Sequence, residues 1–230
     1  MAASPGEALA HSFFSGTGTT YDVMVNLGTI GFDRWWKKKI IDRIPAAPER
    51  ILDQACGTGI LTFKIARRFP GCRIVGVELH EEYILIAAEK AAARHLNNVD
   101  LIVGRAEDVF LNPGFDCITS SYLAKYAEIG KLVPNAKRML RDGGLLIVHD
   151  FTYPPGRCFA RLWEFYLRIL QAAGSRKYPQ WRTVFYELPQ LLRSTGWVGE
   201  LIEALQKNAF ADITLDLLTW GTSALVTARR

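Results

Sequence analysis

The residues of this 230-residue chain whose types and spacing could do chemistry are two carboxylates at successive strand ends, with a glycine bend between them. The stretch "RILDQACGTGI" (residues 50–60) runs from a short apolar segment through Asp53 into Gly57 and Gly59, and "LTFKIARRF" then takes up a helical period. Glu78 ends the next apolar run, "RIVGVE", 21 positions after Gly57. Two glycines after a strand allow close backbone approach to a ligand laid across the turn. The dinucleotide fingerprint G-x-G-x-x-G fails here because position 62 is Thr62, and the Gly-Lys-Ser/Thr of a phosphate loop is absent. What stands is D-x-A-x-G-x-G, carried by Asp53, Ala55, Gly57 and Gly59. A strand-end carboxylate suits an ammonium group and repels a pyrophosphate. S-adenosylmethionine has an ammonium, a sulfonium and no phosphate. Glu78 stands where an acidic residue can accept bonds from both ribose hydroxyls. Capping of the following helices would account for either carboxylate alone. The pair, with the bend between, favours the ligand. Cys56 has no partner cysteine nearby and reads as a small residue that fits the turn.

The elements that position these residues alternate. Residues 50–53, 73–78, 99–104, 115–121 and 144–151 are short, β-branched and nearly continuous in hydrophobicity, as strands buried on both faces of a parallel sheet are. Helical patterns lie between them, and "RDGG" (141–144) reads as a helix stop followed by a turn. The fold expected is α/β, doubly wound, with a mostly parallel seven-stranded sheet. "FADITLDLLTW" and "GTSALVTARR", split by a turn at Gly221, would close one edge as an antiparallel hairpin. Residues 1–48 form a helical N-terminal extension or lid. Residues 49–230 form the binding domain, with a helical cap at about 154–207.

Composition sets outer bounds. The net charge of +5 permits an anionic partner without requiring one. Basic residues are scattered, with one local cluster, so a nucleic-acid partner is not expected. The four cysteines lie too far apart for a metal knuckle or a redox pair, and no metal is expected. A start without a basic n-region and the lack of any run of about 20 apolar residues point to a cytoplasmic protein, peripheral to a membrane at most.

In order and spacing, "ILDQACGTGILTFKIA", "VGVELHEEYI", "GRAEDV", "FDCITSSY" and "LRDGGLLIVHDF" resemble the class I S-adenosylmethionine-dependent methyltransferases. "YDVMVNLGTIGFDRWWKKKIID" and the C-terminal "FADITLDLLTWGTSALVTARR" are similar to the ubiquinone/menaquinone biosynthesis C-methyltransferases, so the resemblance covers nearly the whole chain from about Phe13. It implies S-adenosyl-L-methionine as cofactor. Thr58 would contact it in the bend, Glu78 and Leu79 at the ribose, Arg105 and Ala106 beside the adenine, and Ser121 at the end of the fourth strand. Related enzymes carry Asp or Asn where this chain has Arg105, and an arginine cannot accept a bond from the adenine amino group. That contact would pass to a backbone group near Ala106, to Glu107, or to stacking by the guanidinium.

The resemblance further implies a prenylated hydroquinone as methyl acceptor, a lipophilic small molecule. The family's Arg-Asn pair after the fourth strand is replaced by Lys125-Tyr126. Lys125 would stabilise a phenolate or, if desolvated, act as a base; an exposed lysine at a helix start is the plain alternative. His149 and Asp150 close the fifth strand toward the same rim, as base or as strand-end caps. Tyr21, with Asp22, belongs to the segment expected to fold over the site, and Tyr21 is the expected lid or substrate contact. "FDRWWKKKIIDR" either meets an anionic membrane or packs one tryptophan on the sheet with its lysines solvated. A homodimer is left open. The rival acceptors are a phospholipid amine such as phosphatidylethanolamine and a small phenol; the Asn/Asp-Pro-Pro-aromatic motif of base- and glutamine-methylating enzymes is replaced by Ser120-Ser121-Tyr122-Leu123.

Overall fold

Each apolar run between the helical patterns becomes a strand, and the runs are continuous because both faces of the sheet are covered. The computed structural model describes residues 4–230. Its seven strands are β1 (Arg50–Gln54), β2 (Arg73–Glu78), β3 (Val99–Val103), β4 (Phe115–Ser121), β5 (Leu140–Phe151), β6 (Ala211–Leu218) and β7 (Ser223–Arg229). They are ordered β3-β2-β1-β4-β5-β7-β6. β1 to β5 pair in parallel, and β7 lies antiparallel between β5 and β6. This is the doubly wound sheet with its closing hairpin.

The helices divide between the two faces. On one, α6 (Ile129–Met139) and α10 (Trp197–Lys207) bury Leu132, Val133, Trp197 and Leu201 against Leu52, Ile118 and Leu146. On the other, α3 (Asp33–Ile41) and α4 (Ile60–Arg68) bury Trp36, Ile40, Leu61 and Ile65 against Ile51, Ile74 and Ile147. α5 (Glu81–Ala93) covers the β2–β3 edge through Ala87 and Ala91, packed with Phe63 of α4. Trp36 is the tryptophan that enters the core, because it shares a helical face with Ile40; Trp35 stays 42% exposed.

"RDGG" is no plain turn. β5 runs through it, with the register jumping from Phe115↔Leu140 to Cys117↔Leu145. Gly143 takes φ +72, and a Cβ on Gly144 would sit 2.8 Å from the Arg141 carbonyl oxygen. The helix stop is there, but the chain bulges inside a strand instead of leaving it.

Above the C-terminal ends of the strands lie α1 (Pro5–Phe14), α2 (Tyr21–Gly28), α7 (Arg157–Ile169), α8 (Ser175–Lys177) and α9 (Arg182–Ser194). Phe13, Met24, Tyr126, Trp181 and Val184 form their shared core. The Trp181 indole N–H donates to Thr20 Oγ1 at 2.8 Å, which ties this roof to the N-terminal segment. The stretch read as a cap therefore divides. Residues 157–194 roof the crevice, while α10 returns to the sheet with its Trp197 indole N–H on the Phe151 carbonyl at 2.8 Å. Among the described residues, no helix is long and apolar enough to cross a membrane.

Candidate active site

Strand order reverses between β1 and β4, so their C-terminal ends open a crevice, and the bend after β1 forms its floor. Ala55, Gly57 and Gly59 have φ of +56, +57 and +87. At Gly59 glycine is obligatory, since a Cβ would lie 2.2 Å from the Phe63 ring. The bend is held from the next strand. Glu78 accepts the Gly57 N–H at 3.0 Å on one carboxylate oxygen and the His80 N–H at 3.0 Å on the other. The oxygen on His80 also meets the His80 Nδ1 at 3.2 Å, and the oxygen on Gly57 keeps a lone pair for a further donor. Asp53 is buried and accepts from Thr62 Oγ1 at 2.6 Å and Thr119 Oγ1 at 2.8 Å. Burial pushes its carboxyl up to about 6, against the pull of these hydroxyls and of Lys37. Cys56 is also buried, and burial raises its thiol well above the usual range, so it is no nucleophile. Its sulfur fills the space over Gly76, where a Cβ would meet it at 2.9 Å.

Nine of the residues singled out in the sequence line one cavity: Tyr21, Ala55, Gly57, Glu78, Leu79, Arg105, Ala106, Glu107 and Ser121. Asp53 faces a small adjoining recess with Lys37, Ser121 and Tyr21. Lys125 faces a second, apolar cavity that shares Phe14, Tyr21, Tyr122 and Tyr126 with the first. Thr58 and Gly59 face a polar cleft on the outer side of the bend. The Thr58 hydroxyl donates to Asp22, whose carboxylate also pairs with Lys90 at 2.7 Å, so Thr58 holds α2 down on the bend. Arg105 reaches the cavity, but its guanidinium is spent on Glu7 at 3.3 Å, Asp108 at 3.1 Å and Glu128 at 2.9 Å. It clasps α1 to the loop after β3 and to the start of α6.

His149 and Asp150 do not share a rim, because successive strand residues point to opposite faces. His149 is buried, with Nδ1 on Ser121 Oγ at 2.9 Å and Nε2 on Ser223 Oγ at 2.6 Å. Burial, then Lys37 and Lys125, hold its pKa well below the ordinary imidazole value, and neither nitrogen is free to act as a base. Asp150 accepts the backbone N–H groups of Lys125 at 3.1 Å and Phe151 at 2.7 Å, and ion-pairs with the Lys125 ammonium at 2.7 Å. Lys125 is not the exposed helix-start lysine; its side chain is 2% exposed. Burial lowers its pKa while Asp150 opposes that shift.

Lys37 escaped the sequence reading, which left the lysine run to solvent or to a membrane. Lys38 is exposed, but Lys37 is buried. It donates to Ser121 Oγ at 2.6 Å, pairs with Asp33 at 3.1 Å and lies 4.1 Å from the Tyr122 ring centroid. Asp33 in turn accepts from the Tyr122 hydroxyl at 2.7 Å. The available signal was the Asp33–Lys37 spacing on the inward side of the Trp36–Ile40 helix.

The crevice suits an adenosyl group on its own chemistry. A carboxylate with a spare lone pair faces it beside apolar Val77, Leu79, Ala106 and Leu123, and the arginine in its lining is already neutralised. His80 adds a buried Nε2 that has no partner among the described residues. The profile of the ubiE/COQ5 methyltransferase family matches residues 3–228. The chain belongs to that family. It is 30% identical to a demethylmenaquinone methyltransferase of Thermus thermophilus over 92% of this chain and 97% of the relative. Identity is also 30% to the ubiquinone/menaquinone biosynthesis C-methyltransferase UbiE of Dinoroseobacter shibae, over 94% and 88%. Among solved structures, a Methanococcus maripaludis protein assigned to the S-adenosyl-L-methionine-dependent methyltransferases superposes with a TM-score of 0.68, at 16% identity over 94% of this chain and 93% of that one. A phosphoethanolamine N-methyltransferase of Haemonchus contortus, in complex with S-adenosyl-L-methionine, gives 0.62, at 16% identity over 85% and 52%. The family member described here is a methyltransferase whose methyl donor is S-adenosyl-L-methionine.

Proposed function

We propose that this methyltransferase methylates a ring carbon of a prenylated hydroquinone of the demethylmenaquinol or ubiquinol type. The observation that carries the reading is the buried ammonium of Lys125 at the wall of an apolar cavity. Asp150 accepts from it at 2.7 Å and the Tyr122 carbonyl at 2.9 Å, and it lies 4.4 Å from the centroid of the Tyr126 ring, so its third proton is held by no hydrogen-bond acceptor among the described residues. Trp163, Leu167, Leu170, Trp181 and Phe185 are among the walls of that cavity, which suits a fused ring and the start of an isoprenoid tail. An acceptor phenol has a pKa near 10, and a donated N–H in a water-poor cavity favours its ionised, carbon-nucleophilic form. The cofactor, when bound, supplies an electrophilic methyl group on a sulfonium. Tyr21, Tyr122 and Tyr126 stand between the two cavities and set the approach of ring to methyl.

In this reading Glu78 holds the ribose hydroxyls, Leu79, Ala106 and Glu107 border the adenine, and Gly57 and Ala55 carry the close backbone approach. Asp53 and Lys37 hold the ammonium and carboxylate of the methionyl end, with Ser121 between them. Arg105, Thr58 and Gly59 shape the cavity from outside. The rival phospholipid amine is disfavoured by charge. An ammonium substrate wants a free carboxylate, and the one beside the apolar cavity, Asp150, is committed to Lys125. A cytoplasmic enzyme in peripheral contact with a bilayer is the setting such an acceptor requires.

The test is transfer of labelled methyl into extracted membrane lipids. Label in a quinone fraction supports the assignment, and label in phospholipid refutes it. Lys37→Met should weaken donor binding measured by calorimetry while leaving acceptor KM unchanged. Unaltered donor affinity would remove Lys37 from the donor site.

A further inference from the structure

Helix α7 carries two apolar faces, and only one is used inside the protein. Trp163, Leu167 and Leu170 point into the apolar cavity. On the opposite side Leu162, Phe165 and Ile169 are 62%, 59% and 46% exposed, and Cys158 continues the same line one turn earlier. The spacing of four, three and four keeps them on a single stripe. Two other elements extend it. The Tyr166 hydroxyl donates to the Leu27 carbonyl, bringing Leu27 and Ile30 (64% exposed) alongside. The Phe159 ring packs 5.0 Å from Trp220, which is 71% exposed. Monomeric proteins rarely leave so continuous an apolar surface uncovered.

Charge identifies what covers it. Arg157, Arg161 and Arg168, spaced by four and seven, form an exposed row along one edge of the stripe. The helix's one carboxylate, Glu164, is taken by Arg193 and the Tyr153 hydroxyl. The α7 of a second copy would bring the same cationic edge, and its own carboxylate is already taken. Apolar residues with arginines beside them and a tryptophan at the end match the boundary layer of an anionic bilayer. We infer that the outer face of α7, with Leu27, Ile30 and Trp220, docks on anionic lipid, so that a lipid-dissolved acceptor enters the cavity lined by the helix's inner face. The role of the docking, though not the docking itself, rests on the acceptor reading above.

The test is co-sedimentation of the full chain with sucrose-loaded vesicles, without donor or acceptor. Wild-type protein should pellet with vesicles containing phosphatidylglycerol at least tenfold more strongly than with phosphatidylcholine alone. The triple variant L162S/F165S/I169S should lose that binding while keeping its melting temperature. Each Arg→Gln change at 157, 161 or 168 should weaken binding by about fivefold and flatten its salt dependence. Wild-type protein that stays in the supernatant, or a triple variant that pellets as wild type does, overturns the proposal. So does a wild-type dimer in sedimentation velocity that the triple variant dissolves, since a second copy would then cover the stripe. Methyl transfer to a short-chain, water-soluble naphthohydroquinone reports on the acceptor reading separately. No transfer to it by vesicle-binding protein sinks that reading and supports a docking surface that stands without it.

Discussion

Lys125→Met separates the catalytic reading of the buried lysine from its structural one. The substitution leaves Asp150, fully buried, without its cation. Losing one partner of such a pair costs about 3–5 kcal/mol. Some of that is recovered because the backbone N–H groups of Lys125 and Phe151 still donate to the carboxylate. Activity lost in the single variant would therefore be ambiguous. The double variant Lys125→Met/Asp150→Asn removes both charges. The Lys125 and Phe151 N–H groups sit on different oxygens of Asp150, so the Asn carbonyl oxygen keeps one of them and the other loses its acceptor at a cost of about 1–3 kcal/mol. The melting temperature of the double variant should recover part of the loss seen in the single variant. Its turnover should not. A charge-assisted hydrogen bond to the acceptor oxygen is worth about 1.5–3 kcal/mol, so kcat should stay about 10- to 150-fold down in the double variant. Donor affinity by calorimetry should be unchanged, because Lys125 lies outside the cavity that holds Glu78. A double variant that turns over like wild type would show that the ion pair serves the fold alone and would end the case for Lys125 at the acceptor.

Glu78→Ala should weaken the donor by about 10- to 150-fold, from the loss of a bond to a charged acceptor, and should lower stability by leaving the Gly57 and His80 N–H groups unpaired; calorimetry and thermal melts read the two effects. Asp53 gives a pH signature. Its folded pKa of about 6 lies above the unfolded value, so the folded state holds the extra proton, and stability should fall by up to about 3 kcal/mol as pH rises from about 4 to about 6. Asp53→Asn should flatten that slope in denaturant titrations; an unchanged slope would place the titration elsewhere. Cys56→Ala should retain activity, since its thiol does no chemistry, whereas Gly57→Val should abolish donor binding. Position 57 has φ +57, a strained region for a β-branched residue, and a Cβ there would point to within 3.6 Å of the Tyr21 ring. Donor binding by Gly57→Val protein would overturn the placement of the cavity.

The central strands were legible because β1, β2, β4 and β7 are buried on both faces, which makes their sequences continuously apolar and bounds them with turn residues. "FDCITSS" became β4 with every residue buried. The bulge at Arg141–Gly144 was not legible, since a glycine pair reads the same whether the chain turns out of a sheet or bulges within it. The D-x-A-x-G-x-G bend and Glu78 could be found from sequence because their spacing is local to one βαβ unit. Arg105 was harder. Its partners Glu7 and Glu128 come from far along the chain, and only their convergence turns a candidate adenine contact into a clasp.

The sequence by itself determined the sheet and the glycine bend after β1, because periodicity and short-range spacing follow from backbone geometry, and its resemblance to known methyltransferases carried the family. It could not say which polar side chains would face the crevice. Neighbouring Lys37 and Lys38 are alike in type and opposite in fate, one buried against Ser121 and Asp33 and the other 70% exposed. Their helix sets them about 100° apart, and packing of Trp36 and Ile40 on the sheet chose which one turned inward. The tertiary structure likewise sent the Thr58 hydroxyl outward to Asp22 and shut Lys125 in with Asp150. Those outcomes depend on contacts across tens of residues, where the energy of burying a charge is settled by the partner that meets it.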